Sequence, residues 1–570
     1  MTSSKIETRQ KLISWLPIIA FIVIAIVIRL YRTSTANHYL LAGSDGPYFP
    51  LQVKNLVDHF HLAFSDMPLL FTLGALLSKI LYFIHIGTEN ECILLSIRFL
   101  DAFLPPLSAI PVFLIAKELT NKNIKSNFTS YLMVAFAILN FTPLFIFSSQ
   151  LQKNGVAVFF VFLYIYYIVK TLKYENRSDF IKAIVVIILC AFTHFGSFGL
   201  LVFATLLIFT FWIFNYTPKS NLLITKKILL VTATLVLIFS LVAVFDFTRF
   251  LRIVHVPLKI FEAPVILFAL NGQNFLLHGQ TLLILVLTNL LAIQGIILIL
   301  RRRSTMDKYK VIIGLSFAIC SMLLSNPFLG LEWANRLFIM AYIPLTVLYL
   351  IIFSTVSTRW IRISTIFIFI LLLGVSFLSA LLGKPLISIS KEAFAEFQQI
   401  NTKIAFKGTD AIVSRQDLRL LSNWTFQVKG ISDYLLTKTE FDKYSSLYFI
   451  KQIKGTNPAI RATENQIPNN YSNVFRGDYF EVYKIINNDN LPAEPQKIFK
   501  GIRGTIVENS ENRLLIRDFK TDNIRVVFIK DVKQKPLNIH NGMKVEINGE
   551  WTPFSLAIDA ETIKEITSFD

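Results

Sequence analysis

The sequence predicts a polytopic α-helical membrane protein with two small domains at its C-terminal end. Three observations predict it. Of 570 residues, 54% are hydrophobic and only 16% charged, where soluble chains carry about a quarter charged residues. Apolar runs dominate residues 1–385, and each approaches the roughly 20 residues needed to cross a bilayer. Residues 386–570 are polar and read as soluble. The chain therefore answers to two solvents.

The first span, 12–31, follows Lys5, Arg9 and Lys11. A signal peptide also starts with basic residues, but this apolar stretch is long and lacks a small-residue cleavage site. Further runs lie near 97–116, 128–147, 154–172, 181–195, 197–215, 227–246, 281–300, 311–325, 337–354 and 363–383. That makes about eleven spans. With the loop 32–96 outside, the inner connections are "KELTNKNIKSN", "KTLKYENRSDFIK", "TPKSNLLITKK", "RRRSTMDKYK" and "STRWIRIS", and all are basic. The outer connections, "SSQLQKN", the turn near His194, 247–280 and "NPFLGLEWANR", are poorer in Lys and Arg on the whole. Basic loops stay inside, so the C-terminal region is expected outside, at a plasma (inner) membrane. The net charge of +19 is then largely a matter of loops. No basic stripe interleaved with aromatics points to nucleic acid.

Two stretches of the outer loop 32–96 are apolar without reading as spans. In 48–64, Phe49, Val53, Leu56, Phe60 and Phe64 recur at steps of three and four, opposite Gln52, Lys54, Asp58, His59 and His61. This is an amphipathic helix suited to a membrane interface. Residues 68–85 form a second apolar helix, short for a span.

Downstream, 386–490 reads as a small α/β domain, with strands at "DAIVSR", "SSLYFIKQI" and "DYFEVYKI" and a helix at "QDLRLLSNW". Residues 491–498 read as a linker. In 499–570, "IRGTIVE", "RLLIRDF", "IRVVFIKD", "KVEINGEW" and "LAIDAETIKEI" are five short strands, the pattern of a small OB-type barrel. The three cysteines, Cys92, Cys190 and Cys320, form no CxxC pair and no zinc signature.

Candidate site residues cluster at the outer ends of the spans. Asp45 in "SDGPYF" and Asp66 in "SDMPLL" each precede a helix, where a carboxylate also caps. Arg98 and Asp101 stand at i,i+3, fit either for substrate or for a mutual ion pair. Lys153 opens the fourth span, where it faces a phosphate or snorkels to water. His194 sits at an outer turn, and Arg336 precedes a late span with Glu332 four residues before it.

The segments "SDGPYFPLQVKNL", "DMPLLFTLGALLSKIL", "SIRFLDAFLPPLSAIPVFLIAKELT" and "FTPLFIFSSQLQKNGVAVFFVFLYIYYIVK", with "LEWANRLFIMAYIPL" later, resemble the GT-C glycosyltransferases. These include the protein O-mannosyltransferases, the aminoarabinose transferases of lipid A and, more distantly, oligosaccharyltransferase. The resemblance covers about residues 12–172. It implies transfer of a sugar from a polyprenyl-phosphate carrier to a lipid, glycan or protein acceptor outside the membrane, with membrane lipids as surroundings. It implies Asp45 as the catalytic base and Arg336 as a phosphate contact, with Arg98, Asp101, Asp66, Lys153 and His194 at the substrate. Many relatives carry a second acid where "SSQLQKNGV" places Lys153 and Asn154. That departure weakens a metal-assisted version, so no cofactor is assigned and a divalent metal stays open. A surface polysaccharide polymerase or ligase is the nearest rival. A transporter or flippase and a non-catalytic envelope scaffold are the others.

Overall fold

The computed structural model describes residues 2–36, 46–120, 127–148, 151–215, 281–329, 336–382 except 357, 389–454 except 415 and 433–434, 470–493 except 490, and 499–566 except 511–512, 520–523, 530–531 and 553–556, with the isolated positions 236, 240 and 244. The chain begins with a 35-residue helix, α1 (Thr2–Ala36). Two short helices follow, α2 (Tyr48–His59) and α3 (Leu69–Phe83). The next are α4 (Glu89–Phe103), α5 (Ala109–Leu119), α6 (Asn127–Leu139), α7 (Gln152–Tyr174), α8 (Arg177–Thr193) and α9 (Phe195–Asn215). After the gap come α10 (Thr281–Arg301), α11 (Lys308–Leu324), α12 (Tyr342–Thr355) and α13 (Arg359–Leu382).

Among the described residues, eight helical segments are long and apolar enough to cross a membrane: Ile13–Thr33, Glu89–Leu119, Phe128–Ile146, Gln152–Tyr174, Phe195–Ile213, Ile284–Arg301, Arg336–Thr355 and Arg359–Leu382. The runs expected at 181–195 and 311–325 are the helices α8 and α11, of 17 residues each. The expected span 227–246, but for three helical positions, and the segment 247–280 lie outside the described residues.

Two of these long segments are interrupted where the sequence carries proline. Pro105 and Pro106 open a 3₁₀ turn, Pro105–Ser108, between α4 and α5. Proline lacks the N–H that an α-helix interior needs. Past α6, Thr142–Ile146 winds as a single π-turn containing Pro143. The start of α4 is a capping box, with Thr88 N–H donating to Glu91 Oε2 at 2.8 Å and Glu91 N–H to Thr88 Oγ1 at 3.4 Å.

The segment read as an outer loop departs from expectation in two respects. The amphipathic helix ends at His59 rather than Phe64, because Phe60 turns left-handed with φ 58°. Gln52, placed on the polar face by periodicity, is fully buried, and its amide holds the returning chain at Phe64. The α3 helix has 15 residues, about 22 Å of rise against the roughly 30 Å of a hydrocarbon core.

The α/β domain adds α14 (Lys391–Ile404), β1 (Ala411–Ser414), α15 (Gln416–Phe426), β2 (Lys429–Ser432), α16 (Lys438–Phe441), β3 (Leu447–Gln452), β4 (Tyr471–Arg476) and β5 (Phe480–Ile485). The sheet order is β2-β1-β3-β5-β4, with β1 parallel to β2 and β3 and the remaining pairs antiparallel. Side chains alternate between its faces. Ala411, Val413, Leu447 and Phe449 join Leu491 in one core. Leu491, read as linker, thus belongs to this domain, and Pro492 O accepts the Lys438 N–H at 3.0 Å.

The opposite face, with Ile412, Tyr448, Ile450 and Val482, packs on Phe394 and Phe397 of α14 and on Leu418, Leu421 and Trp424 of α15. The same core continues into Phe49 and Val53 of α2, Leu70 and Phe71 of α3, and Ile93 and Ile97 of α4. The apolar face of α2 is therefore covered by protein. Strands β6 (Phe499–Ser510), β7 (Arg513–Asp518), β8 (Ile524–Phe528), β9 (Lys544–Thr552) and β10 (Ala557–Glu565) close a barrel of order β10-β8-β7-β6-β9 around its own core of Ile506, Leu514, Ile516, Val527, Val545 and Ile547.

Candidate functional site

The chain turns back after α2 and delivers Asp66 to the head of α7. Asp66 does not cap α3. The residue before that helix is Pro68, and no side chain caps it. Asp66 Oδ1 instead accepts its neighbour's Met67 N–H at 2.8 Å. Asp66 Oδ2 accepts from both Tyr48 OH and Lys153 Nζ. The Asp66 side chain is 0% exposed and that of Lys153 14%. Tyr48 comes from the first turn of α2, and its hydroxyl takes an N–H from Gln52 Nε2 at 2.9 Å. Lys153 Nζ also stands 5.7 Å from the centre of the Tyr48 ring and 5.8 Å from that of Phe71. The carboxylate and the ammonium expected separately near the outer surface thus meet in one cluster. Its walls are aromatic, and low dielectric strengthens the pairing.

The α/β domain packs against this corner. Lys54 of α2 donates to Asn90 Oδ1 at 2.9 Å and lies 5.5 Å from the centre of the Trp424 ring. Burial holds its ammonium below the usual lysine range. Arg419 reaches over Phe64 at 6.0 Å. Asp58 and His59 are exposed on α2.

A second charged group lies deeper in the bundle. Asp101 pairs with Arg29 of α1 at 2.7 Å, with side chains 0% and 1% exposed. Arg29 Nε also donates to Asp101 O at 2.7 Å, Nη1 to Pro143 O, and Nη2 to Phe147 O at 3.3 Å. The π-turn supplies the last two acceptors at its Pro143 and at the residue that follows it. One turn on, Arg32 donates to Ala380 O at 2.6 Å and lies 4.0 Å from the Phe145 ring centre. Arg98, the expected partner of Asp101, is half-buried on the same helix.

The remaining candidates stand apart. His194 follows α8, and its Nδ1 accepts the Ser197 N–H at 3.1 Å, capping the first turn of α9. Arg336 is exposed at the start of its helix, while Glu332 lies outside the described residues. Asp45 lies outside them as well, three residues before Tyr48 in sequence. Among the described residues no group of three or more His, Cys, Asp or Glu side chains could hold a metal ion.

Sequence reading passed over Arg29, Tyr48 and Gln152. Arg29 carried a usable signal, as a lone cation inside an apolar run. Tyr48 and Gln152 carried none. The apolar helices make this a polytopic membrane protein by length and composition, with a sheet domain and a closed barrel attached. Comparison with models of protein families and with curated proteins gives no match.

Proposed function

We propose that the chain is a membrane glycosyltransferase of GT-C type, moving a sugar from a polyprenyl-phosphate carrier to an acceptor on the outer side of the membrane. The observation that carries the reading is the Asp66–Lys153–Tyr48 cluster, built where the outer loop, the head of a membrane-length helix and the α/β domain meet. A lipid phosphate leaving group needs a cation more than a proton. Lys153 supplies it, held in place by Asp66, and Arg336 adds a second. The acceptor hydroxyl is a weak nucleophile, and Asp45 takes its proton as its oxygen attacks the anomeric carbon. The bond from that carbon to the phosphate oxygen breaks, and the polyprenyl phosphate leaves with the electron pair. Arg98, Asp101 and His194 shape the surroundings.

The expected count of about eleven spans with basic inner loops supports C-terminal domains outside an inner membrane. The barrel's order, with its third strand parallel to its fifth, is the connectivity of an OB barrel.

The test is glycan and glycolipid mass spectrometry on cells lacking the chain, complemented with wild type, Asp45→Asn or Lys153→Gln at matched protein levels. Loss of one sugar mass, restored by wild type alone, is expected. Full restoration by Asp45→Asn removes Asp45 from the chemistry, and an unchanged glycan profile on deletion removes the transferase reading.

A further inference from the structure

In the sheet of the α/β domain, the chain leaves two neighbouring strands toward opposite faces. Strands β1 and β2 are parallel and paired from Ala411 with Lys429 to Ser414 with Ser432. The chain leaving β1 forms α15, whose Leu418, Leu421 and Trp424 pack on the face of Ile412. The chain leaving β2 goes to the other face, where Leu436, Phe441 and Tyr444 pack with Ala411 and Val413. Strands whose exits part in this way leave a crevice beyond their carboxyl ends, and open sheets with parallel strands bind their ligands there. The residues at that spot are polar and closely placed. Ser414 and Ser432 are register partners, with Cα atoms about 5 Å apart. Alternation turns both toward α15, away from the side of Val413 and Ile431. Arg419 of α15 lies against β2, so that a Cβ on Gly430 would strike Arg419 Cγ. Arg419 Nη1 donates to Ser432 Oγ at 2.8 Å. Among the described residues, neither Arg419 Nε nor Ser414 Oγ has a hydrogen-bond partner. Ser414 is 0% exposed, while Arg419 is half-buried and links the buried serines to solvent.

We propose that Ser414, Ser432 and Arg419, with the first turn of α15, form a binding site for the phosphate group of a small ligand. The chemistry of the set selects this class, because donors prevail. Arg419 keeps the edge that carries Nε, and a guanidinium edge fits two oxygens of a phosphate. Ser432 accepts from Arg419 and so keeps its own proton to give, and Ser414 offers another. Helix α15 has 11 residues and starts two residues after Ser414. The N–H groups of a first helical turn have no partner within the helix and carry partial positive charge, which favours an anion. A cation would meet the charge of Arg419, and an apolar group would leave the donors unsatisfied. Buried polar groups are nearly always paired, and the exception at Ser414 calls for a reason. Asp417 belongs to the same first turn by sequence, and its charge holds the affinity down. The site draws on none of the residues assigned to sugar transfer and does not rest on that reading.

Calorimetric titration of the full-length protein in a non-ionic detergent, with inorganic phosphate and with glycerol phosphate at constant ionic strength, tests this. Thermal unfolding without ligand is followed in parallel. Wild type is expected to bind at least one of the two saturably. Binding of both supports the phosphate group of a larger ligand, and binding of inorganic phosphate alone supports the free ion. Ser414→Ala and Arg419→Gln are expected to weaken binding about tenfold, the order of one hydrogen bond to a charged group. Asp417→Asn is expected to strengthen it. Ser414→Ala should melt no lower than wild type, since it removes a buried hydroxyl without a partner. Where Arg419→Gln fails to fold, Ser414→Ala decides alone. No saturable binding in wild type, unchanged binding in Ser414→Ala, or weaker binding in Asp417→Asn overturns the proposal. A lower melting temperature of Ser414→Ala overturns it too, because the hydroxyl then holds structural water. A glycan change on deletion without phosphate binding would sink the present proposal alone.

Discussion

Asp66 and Lys153 stand 87 residues apart in sequence and share one buried contact. Each was visible as a charge near an outer helix end, but their meeting was not. Local pattern carries no record of which loop folds back on which helix. The same limit left capping open as the alternative for Asp66, since an acid just before "MPLL" can read as a cap, and no side chain caps that helix. Asp101 is a parallel case, because its partner Arg29 comes from α1 rather than from the i,i+3 neighbour Arg98. Removing one member of a buried pair strands the other, at about 3–5 kcal/mol. Asp66→Asn should therefore lower stability by that order, and Lys153→Gln by less, its side chain being partly exposed. The double variant should fall short of the sum of the two. A double-mutant cycle on denaturation of the purified protein measures the coupling, and additive losses would show that the pair does not act as a unit.

At the scale of elements, the strands expected at "DAIVSR", "SSLYFIKQI" and "DYFEVYKI" are β1, β3 and β5, the interior of the sheet. The two missed, β2 and β4, are its edges, four and six residues long. Strand β2 carries a single large apolar residue, Ile431, and β4 is mostly exposed, so neither sequence shows the apolar run that marks an interior strand. The fit between α14 and the β4–β5 turn was equally hidden. Glu396 accepts N–H bonds from Asp478, Tyr479 and Phe480 at 2.8, 2.9 and 2.9 Å. A carboxylate bound this way contributes about 1.5–3 kcal/mol. Glu396→Ala should cost that order, and Glu396→Gln less, because it keeps an acceptor. Hydrogen exchange at amides 478–480 reports it directly, and unchanged protection in Glu396→Ala would deny the turn its anchor.

The whole molecule was legible as two solvents, and eight of the eleven expected apolar runs coincide with helices long enough to cross a membrane among the described residues, because membrane length is a strong constraint. The joint between regions was not legible. Sequence reading gave the α2 face to lipid, whereas α14, α15, α2, α3 and α4 share a single core. The two C-terminal domains should accordingly behave differently when cut out. The barrel, 499–566, closes on its own core and should unfold as one cooperative transition in isolation. The α/β domain, 386–493, should lose the side of its core that α2, α3 and α4 supply and self-associate. Sedimentation and thermal melts of the two fragments decide this, and a stable monomeric α/β fragment would mean that the shared core is dispensable.

That shared core also sets an order of assembly. The ribosome makes Phe49, Val53 and Leu70 early and delivers Phe397, Leu418 and Trp424 hundreds of residues later. Until the late segment has emerged, the early one has an uncovered greasy side at the membrane surface. Synthesis of this chain thus includes a waiting period, in which the segment carrying α2 and α3 must be kept from wrong neighbours until its cover is made.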